Sequence, residues 1–121
     1  MKIIEAISKI DSQMHNTYNQ SDKLGWLSTL DGLVANIINA YEGEPVTFTG
    51  YHAKTDLNTE LLAQAPYDAM YLRWLEAQIH YNNGEYDKYN NAIDTFTTDL
   101  KGFKNYYNRT HMPKGKKFKY F

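Results

Sequence analysis

The chain contains no cysteine. Thiol catalysis, disulfides and every cysteine-ligated metal site are therefore excluded, and synthesis in a reducing compartment is the matching expectation. No stretch approaches the roughly 18 to 20 apolar residues that a membrane span requires, and no membrane association is expected. The start, Met1-Lys2-Ile3-Ile4-Glu5, lacks a long apolar h-region, so no secretory signal is expected. Glycine-rich phosphate loops of the GxGxxG or Walker type are missing, as is HExxH. Serine occurs only at positions 8, 12, 21 and 28, without a nucleophile-elbow context. The four histidines, His15, His52, His80 and His111, fall in different predicted elements, with no two at metal-ligand spacing. Neither a metal nor a cofactor is expected, and the chain does not read as an enzyme.

Acidic residues are missing from one end. Residues 1–99 hold all fourteen Asp and Glu against six Lys and Arg, whereas residues 100–121 hold seven basic residues and no acid. An acidic body with a basic end suits a chain whose terminus docks on an acidic partner, protein or nucleic acid. What is plentiful is aromatic: 15% of residues, including eleven tyrosines. Tyrosine combines a large apolar ring with a polar tip and suits both interfaces and the rim of a core. At 121 residues, 42% hydrophobic and 22% charged, there is material for one globular domain with one core.

The expected fold is mainly α, a bundle of about four helices with a short β arm and an extended C-terminal tail. Ile3, Ile4, Ile7 and Ile10 line one helical face, and 11–20 reads as a polar loop. Ser21 is the expected N-cap of a second helix carrying Leu24, Leu27, Leu30, Val34, Ile37 and Ile38, with Trp26 and Leu33 beside them, and stopping before Gly43 and Pro45. Val46-Thr-Phe-Thr-Gly-Tyr51 alternates in character and predicts a short strand, within an arm of about 44–58. A lone strand needs a partner for its backbone, and the same arm on a neighbouring subunit is one choice. Thr59–Leu62 suggests one helical turn. Pro66 suits the first turn of a third helix reaching Asn83, apolar around most of its circumference and hence central or shared with a partner. Asn82-Asn83-Gly84 predicts a left-handed C-cap at Gly84. Tyr86, Tyr89, Ile93, Phe96, Leu100, Phe103 and Tyr107 form the seam of a fourth helix, antiparallel to the third. The body is placed at 1–106 and the tail at 107–121.

Among the charged side chains, Asp68, Arg73 and Glu76 are the expected buried cluster. Arg73 and Glu76 form either an i,i+3 intrahelical ion pair or one between subunits. In the tail, cations interleave with Phe118, Tyr120 and Phe121, whereas solvated tails are normally poor in aromatics. Cations steer towards an acidic surface and rings anchor there; the same mixture grips phosphates and stacks bases. The two readings separate on salt, because DNA affinity from seven cations falls steeply with ionic strength. A small helical enzyme or regulator is the third reading, and no residue constellation favours it.

The run Thr59-Glu-Leu-Leu-Ala-Gln-Ala-Pro-Tyr-Asp-Ala-Met-Tyr-Leu-Arg-Trp-Leu-Glu-Ala-Gln-Ile79 resembles one in the head–tail connector (neck adaptor) proteins of tailed phages and prophages. So do Asn83-Gly-Glu-Tyr-Asp-Lys-Tyr-Asn-Asn91, Asn105-Tyr-Tyr-Asn-Arg-Thr-His-Met-Pro-Lys-Gly115 and the early Ser21-Asp-Lys-Leu-Gly-Trp-Leu27. The likeness covers nearly the whole chain. It implies a helical-bundle subunit of a homo-oligomeric ring, typically a dodecamer, in the virion neck and made in the host cytoplasm. Such a ring sits beneath the portal protein, extends the DNA channel and carries the stopper or tail-completion protein. Double-stranded DNA would pass its lumen without specific binding, past acidic residues of the body. The resemblance implies a portal-docking segment at Arg109, His111, Met112, Pro113, Lys114, Lys116, Lys117, Phe118, Lys119, Tyr120 and Phe121. It also implies a subunit-contact arm at Val46, Phe48 and Tyr51.

Overall fold

The computed structural model describes residues 1–114, and Lys116, Lys117, Phe118, Lys119, Tyr120 and Phe121 of the expected docking segment lie outside them. Four helices follow one another: α1 (Ile3–Gln13), α2 (Gln20–Asn39), α3 (Ala69–Asn82) and α4 (Tyr86–Thr110). None is long and apolar enough to cross a membrane.

Helix α1 buries Ile3, Ala6, Ile7 and Ile10, the face its periodicity predicts. Its first N–H groups, which no helix can satisfy internally, find acceptors in a distant part of the chain. Ile3 N–H donates to the Thr59 carbonyl and Ile4 N–H to that of Leu57, at 3.0 and 2.9 Å. Leu61 N–H in turn donates to the Met1 carbonyl at 2.9 Å. This use of 57–61 corrects the expected helical turn at Thr59–Leu62, whose backbone is committed to α1.

Helix α2 begins earlier than expected. Asn19, not Ser21, is the N-cap, and its side-chain oxygen accepts from Asp22 N–H at 2.8 Å. The apolar face is as predicted at Leu24, Leu27, Leu30, Val34 and Ile38, while Leu33 is largely exposed. Two charged residues are also buried in this helix, Lys23 and Asp31. The Lys23 ammonium reaches Asp11 Oδ1 at 2.7 Å and the Tyr18 carbonyl at 2.8 Å.

Helix α3 packs on each of the other three, which explains why apolar residues surround it. Met70, Tyr71, Leu75 and Ile79 are wholly buried. It starts at Ala69, so Pro66 lies in the turns that precede it and not in its first turn. The connection to α4 is the tight one anticipated: Gly84 takes φ +76° and Glu85 N–H donates to the His80 carbonyl at 2.9 Å. A positive φ is costly for any side chain but asparagine or glycine. Helix α4 then lays Ala92, Phe96 and Phe103 into the core, with the Trp74 ring tilted at 45° against Phe96, 5.0 Å away. It continues to Thr110, beyond the residue 107 at which the tail was placed.

The 41–68 connection contains no helix and no strand, only isolated bridges at Tyr41–Pro113 and Lys2–Glu60. The strand expected at Val46–Tyr51 therefore does not form among the described residues. Val46 N–H and carbonyl bond to Asn39 of α2, and Tyr51 N–H to Ser28, so part of its backbone is satisfied by side chains and not by a partner strand.

Leu75 is the apolar centre of this arrangement. Leu75→Ala should cost roughly 2–5 kcal/mol by removing buried methyls and leaving a cavity, read as a lowered urea midpoint with unchanged slope.

Candidate functional site

Two constellations stand out, one inside the bundle and one at its end. Asp31 lies on α2 one turn from Leu27 and one from Val34, in the middle of the buried stripe. It is completely buried, and no cation among the described residues pairs with it. Its carboxylate accepts from three donors: the Tyr51 hydroxyl of the long connection, the Tyr71 hydroxyl of α3, and Leu62 N–H at 3.1 Å. The Tyr71 oxygen also accepts from Ala63 N–H at 2.7 Å. Four pieces of chain thus converge on one side chain.

The rest of α2 continues this attachment. Ser28 Oγ accepts from Tyr51 N–H at 3.0 Å. Asn39 accepts from Val46 N–H at 2.8 Å and donates to the Val46 carbonyl at 2.7 Å. Phe48 lies beside Gly32, and its ring stands edge-on to Tyr51 at 5.0 Å. Val46, Phe48 and Tyr51 are each half-buried against their own α2.

Burial is the main influence on Asp31 and pushes its pKa above the usual carboxylate range, against the lowering effect of its hydrogen bonds. Tyr51 and Tyr71 are raised too, first by burial and then by the adjacent carboxylate. Every partner of the carboxylate is a donor, so the three contacts fasten the connection and α3 to α2. Among the described residues no buried side-chain nitrogen or oxygen lacks a partner.

The second constellation gathers at the far end of α4. His111 stacks on Tyr107 at 4.4 Å and 15°, and Tyr41 approaches Tyr107 at 5.7 Å. Tyr106 lies 5.0 Å from Tyr67, which meets Phe103 at 5.8 Å. The chain then turns back along the end of α2. Glu42 N–H donates to the Met112 carbonyl at 2.7 Å, and Lys114 N–H to the Ala40 carbonyl at 2.9 Å, with Pro113 opposite Tyr41. Of the expected docking residues, Arg109, Met112 and Lys114 are exposed and His111 and Pro113 half-buried.

The expected charged cluster on α3 is not buried. Arg73 Nη1 is 3.7 Å from Glu76 Oε2, an i,i+3 pair with Arg73 about half exposed. Asp68 faces the Met1 ammonium at 3.5 Å instead. Glu76 also lies 3.8 Å from His80, and His80 Nδ1 is 3.1 Å from Glu85 Oε1. The His80 contact leads the causes that push Glu85 down to about 2. Among the described residues, no three or more histidines and carboxylates are grouped to hold a metal ion.

Sequence reasoning passed over Asp31, although a signal existed. Asp31 falls four residues after Leu27 and three before Val34, on the apolar stripe itself, and an acid in a buried stripe demands donors. No family model, no curated protein and no solved structure matches this chain.

Asp31→Ala should destabilise by about 1–3 kcal/mol, because the phenols and Leu62 N–H lose their shared acceptor; Asp31→Asn should cost less. The pH dependence has a definite sign. A carboxyl whose folded pKa is raised favours folding fully below the unfolded value of 3.8, and that contribution is lost as pH rises through the folded pKa. Denaturation at pH 4 and pH 7 should show Asp31→Asn gaining relative to the native chain at the higher pH. A pH-independent difference would contradict a raised Asp31.

Proposed function

We propose that this protein is a structural subunit of a phage head–tail connector ring. It binds beneath the portal, extends the DNA channel and provides a platform for the stopper or tail-completion protein. The reading rests on the sequence likeness to neck adaptors together with one structural observation. That observation is the fastening of Met112 and Lys114 to the end of α2, beside the Tyr41–Tyr107–His111 stack. A basic, aromatic terminus joined to a rigid, aromatic bundle end is suited to dock on a partner: the fixed anchor limits the entropy lost on binding, and rings supply contact area.

In this reading Arg109, His111, Met112, Pro113 and Lys114, with residues 116–121, meet the portal. Val46, Phe48 and Tyr51 present their remaining surface to a neighbouring subunit, and the ring takes its place in the virion neck. Closure of a ring requires each subunit to use two different faces. The arm supplies one of them.

The charge split favours a second reading, a nucleic-acid-binding protein that uses the seven basic residues of 100–121. Mixing the purified chain with portal protein and imaging by negative stain separates the two. Rings of chain on portals are expected, together with weak binding to bare duplex DNA. A bare portal, with DNA binding that falls steeply with salt and vanishes on deleting 107–121, would sink the connector reading.

A further inference from the structure

The two ends of α4 carry aromatic features of complementary kind, an exposed cluster and a cleft. At its start, Tyr81 of the α3–α4 turn meets Tyr86 and Tyr89 edge-on, with ring centroids 5.7 and 5.2 Å apart. Tyr81 is 53% exposed and Tyr86 60%. Scattered exposed rings are ordinary, but clustered tyrosines are a mark of interfaces. Near the other end of α4 lies a cleft of about 300 Å³. Leu62, Pro66 and Tyr67 wall it from the long connection, and Phe103, Tyr106 and Tyr107 from α4.

We propose that a second copy of this chain fills the cleft, inserting the Tyr86 ring of its own α3–α4 turn. The insertion is not internal. Helix α4 runs unbroken from Tyr86 to Thr110, and about twenty residues of helix hold Tyr86 roughly 30 Å from Tyr106. Chemistry and charge both select this occupant. A tyrosine ring suits a space lined by Tyr67, Phe103 and Tyr106, because aromatic pairs attract beyond the area they bury. Glu85 and Asp87 flank Tyr86, whereas residues 100–114 carry Lys101, Lys104, Arg109 and Lys114 and no acid. Opposite charges steer unlike ends together and oppose contact between like ends.

Such a contact is heterologous, since each copy gives its turn and receives at its cleft. Copies therefore add in one direction, closing as a ring or running on as a filament according to the rotation per step. The contact stands without the connector reading; closure into a ring rests on it. A patch of tyrosine rings is smaller than a standard interface of about 1,600 Å², so association of the free chain is weak and concentration-dependent.

Sedimentation of the full chain, without any partner, tests the contact through two exposed positions. Tyr86→Ser removes the inserted ring and keeps the cleft; Gln64→Trp keeps the ring and fills the cleft. The native chain should gain mass with concentration beyond the dimer, while each variant alone remains monomeric. An equimolar mixture of the two variants should stop at dimers, because each pair retains one open cleft and one ring. In a native sample mixing labelled and unlabelled chain, isotope-filtered nuclear Overhauser effects should join Leu62 methyls to tyrosine ring protons of another copy. That measurement does not depend on how either variant folds. A native chain that stays monomeric, variants that associate as the native chain does, or absent cross-peaks between copies would overturn the proposal. Dimers formed by Tyr86→Ser alone would overturn it in favour of a two-fold contact elsewhere. No portal is in the sample, so bare portals would count against the connector reading alone.

Discussion

A single carboxylate organises the part of this molecule that has no regular secondary structure. Asp31 is fully buried, has no counter-cation among the described residues, and accepts from Tyr51, Tyr71 and Leu62. Burying an acid is unfavourable unless its lone pairs are satisfied, and here the donors come from one residue of α3 and two points of one long connection. The connection in turn caps the N-terminus of α1 through Thr59 and Leu57. Helices α1, α2 and α3 are thus tied together through a loop whose position depends on one side chain. Conformational entropy opposes so long an irregular segment, and side-chain acceptors along α2 offset that cost locally.

The helices were legible in the sequence because burial repeats at helical period. The seam Phe96, Leu100, Phe103, Tyr107 and the Asn83-Gly84 turn define α4 and the hairpin before it without further information. The connection was not legible, for a physical reason. Val46-Thr-Phe-Thr has the composition of a strand, but strand propensity reflects neighbours more than backbone preference. The neighbours here are Asn39 and Ser28, which bond backbone groups of Val46 and Tyr51, and Asp31, which takes the Tyr51 hydroxyl. Nothing in the local pattern of 44–58 announces partners that lie on a helix already assigned to the core. The early start of α2 has a similar origin: Asn19 and Ser21 are both good caps, and the choice falls to the side chain that reaches Asp22 N–H.

The two ends of the bundle differ in kind. At the α3–α4 turn, His80 lies between Glu76 and Glu85, and Tyr81 meets Tyr86 and Tyr89. At the other end, Tyr41 and His111 meet Tyr107 of α4, and Tyr67 meets Tyr106.

The two tryptophans of the chain share one corner of the structure. Trp74 donates its indole N–H to the Trp26 carbonyl at 2.7 Å, and Tyr18 meets Trp26 edge-on at 5.4 Å. Intrinsic fluorescence is therefore a local gauge of the α2–α3 contact. The long connection and the C-terminal end contain no tryptophan, so either can rearrange while the emission spectrum stays dark to the event.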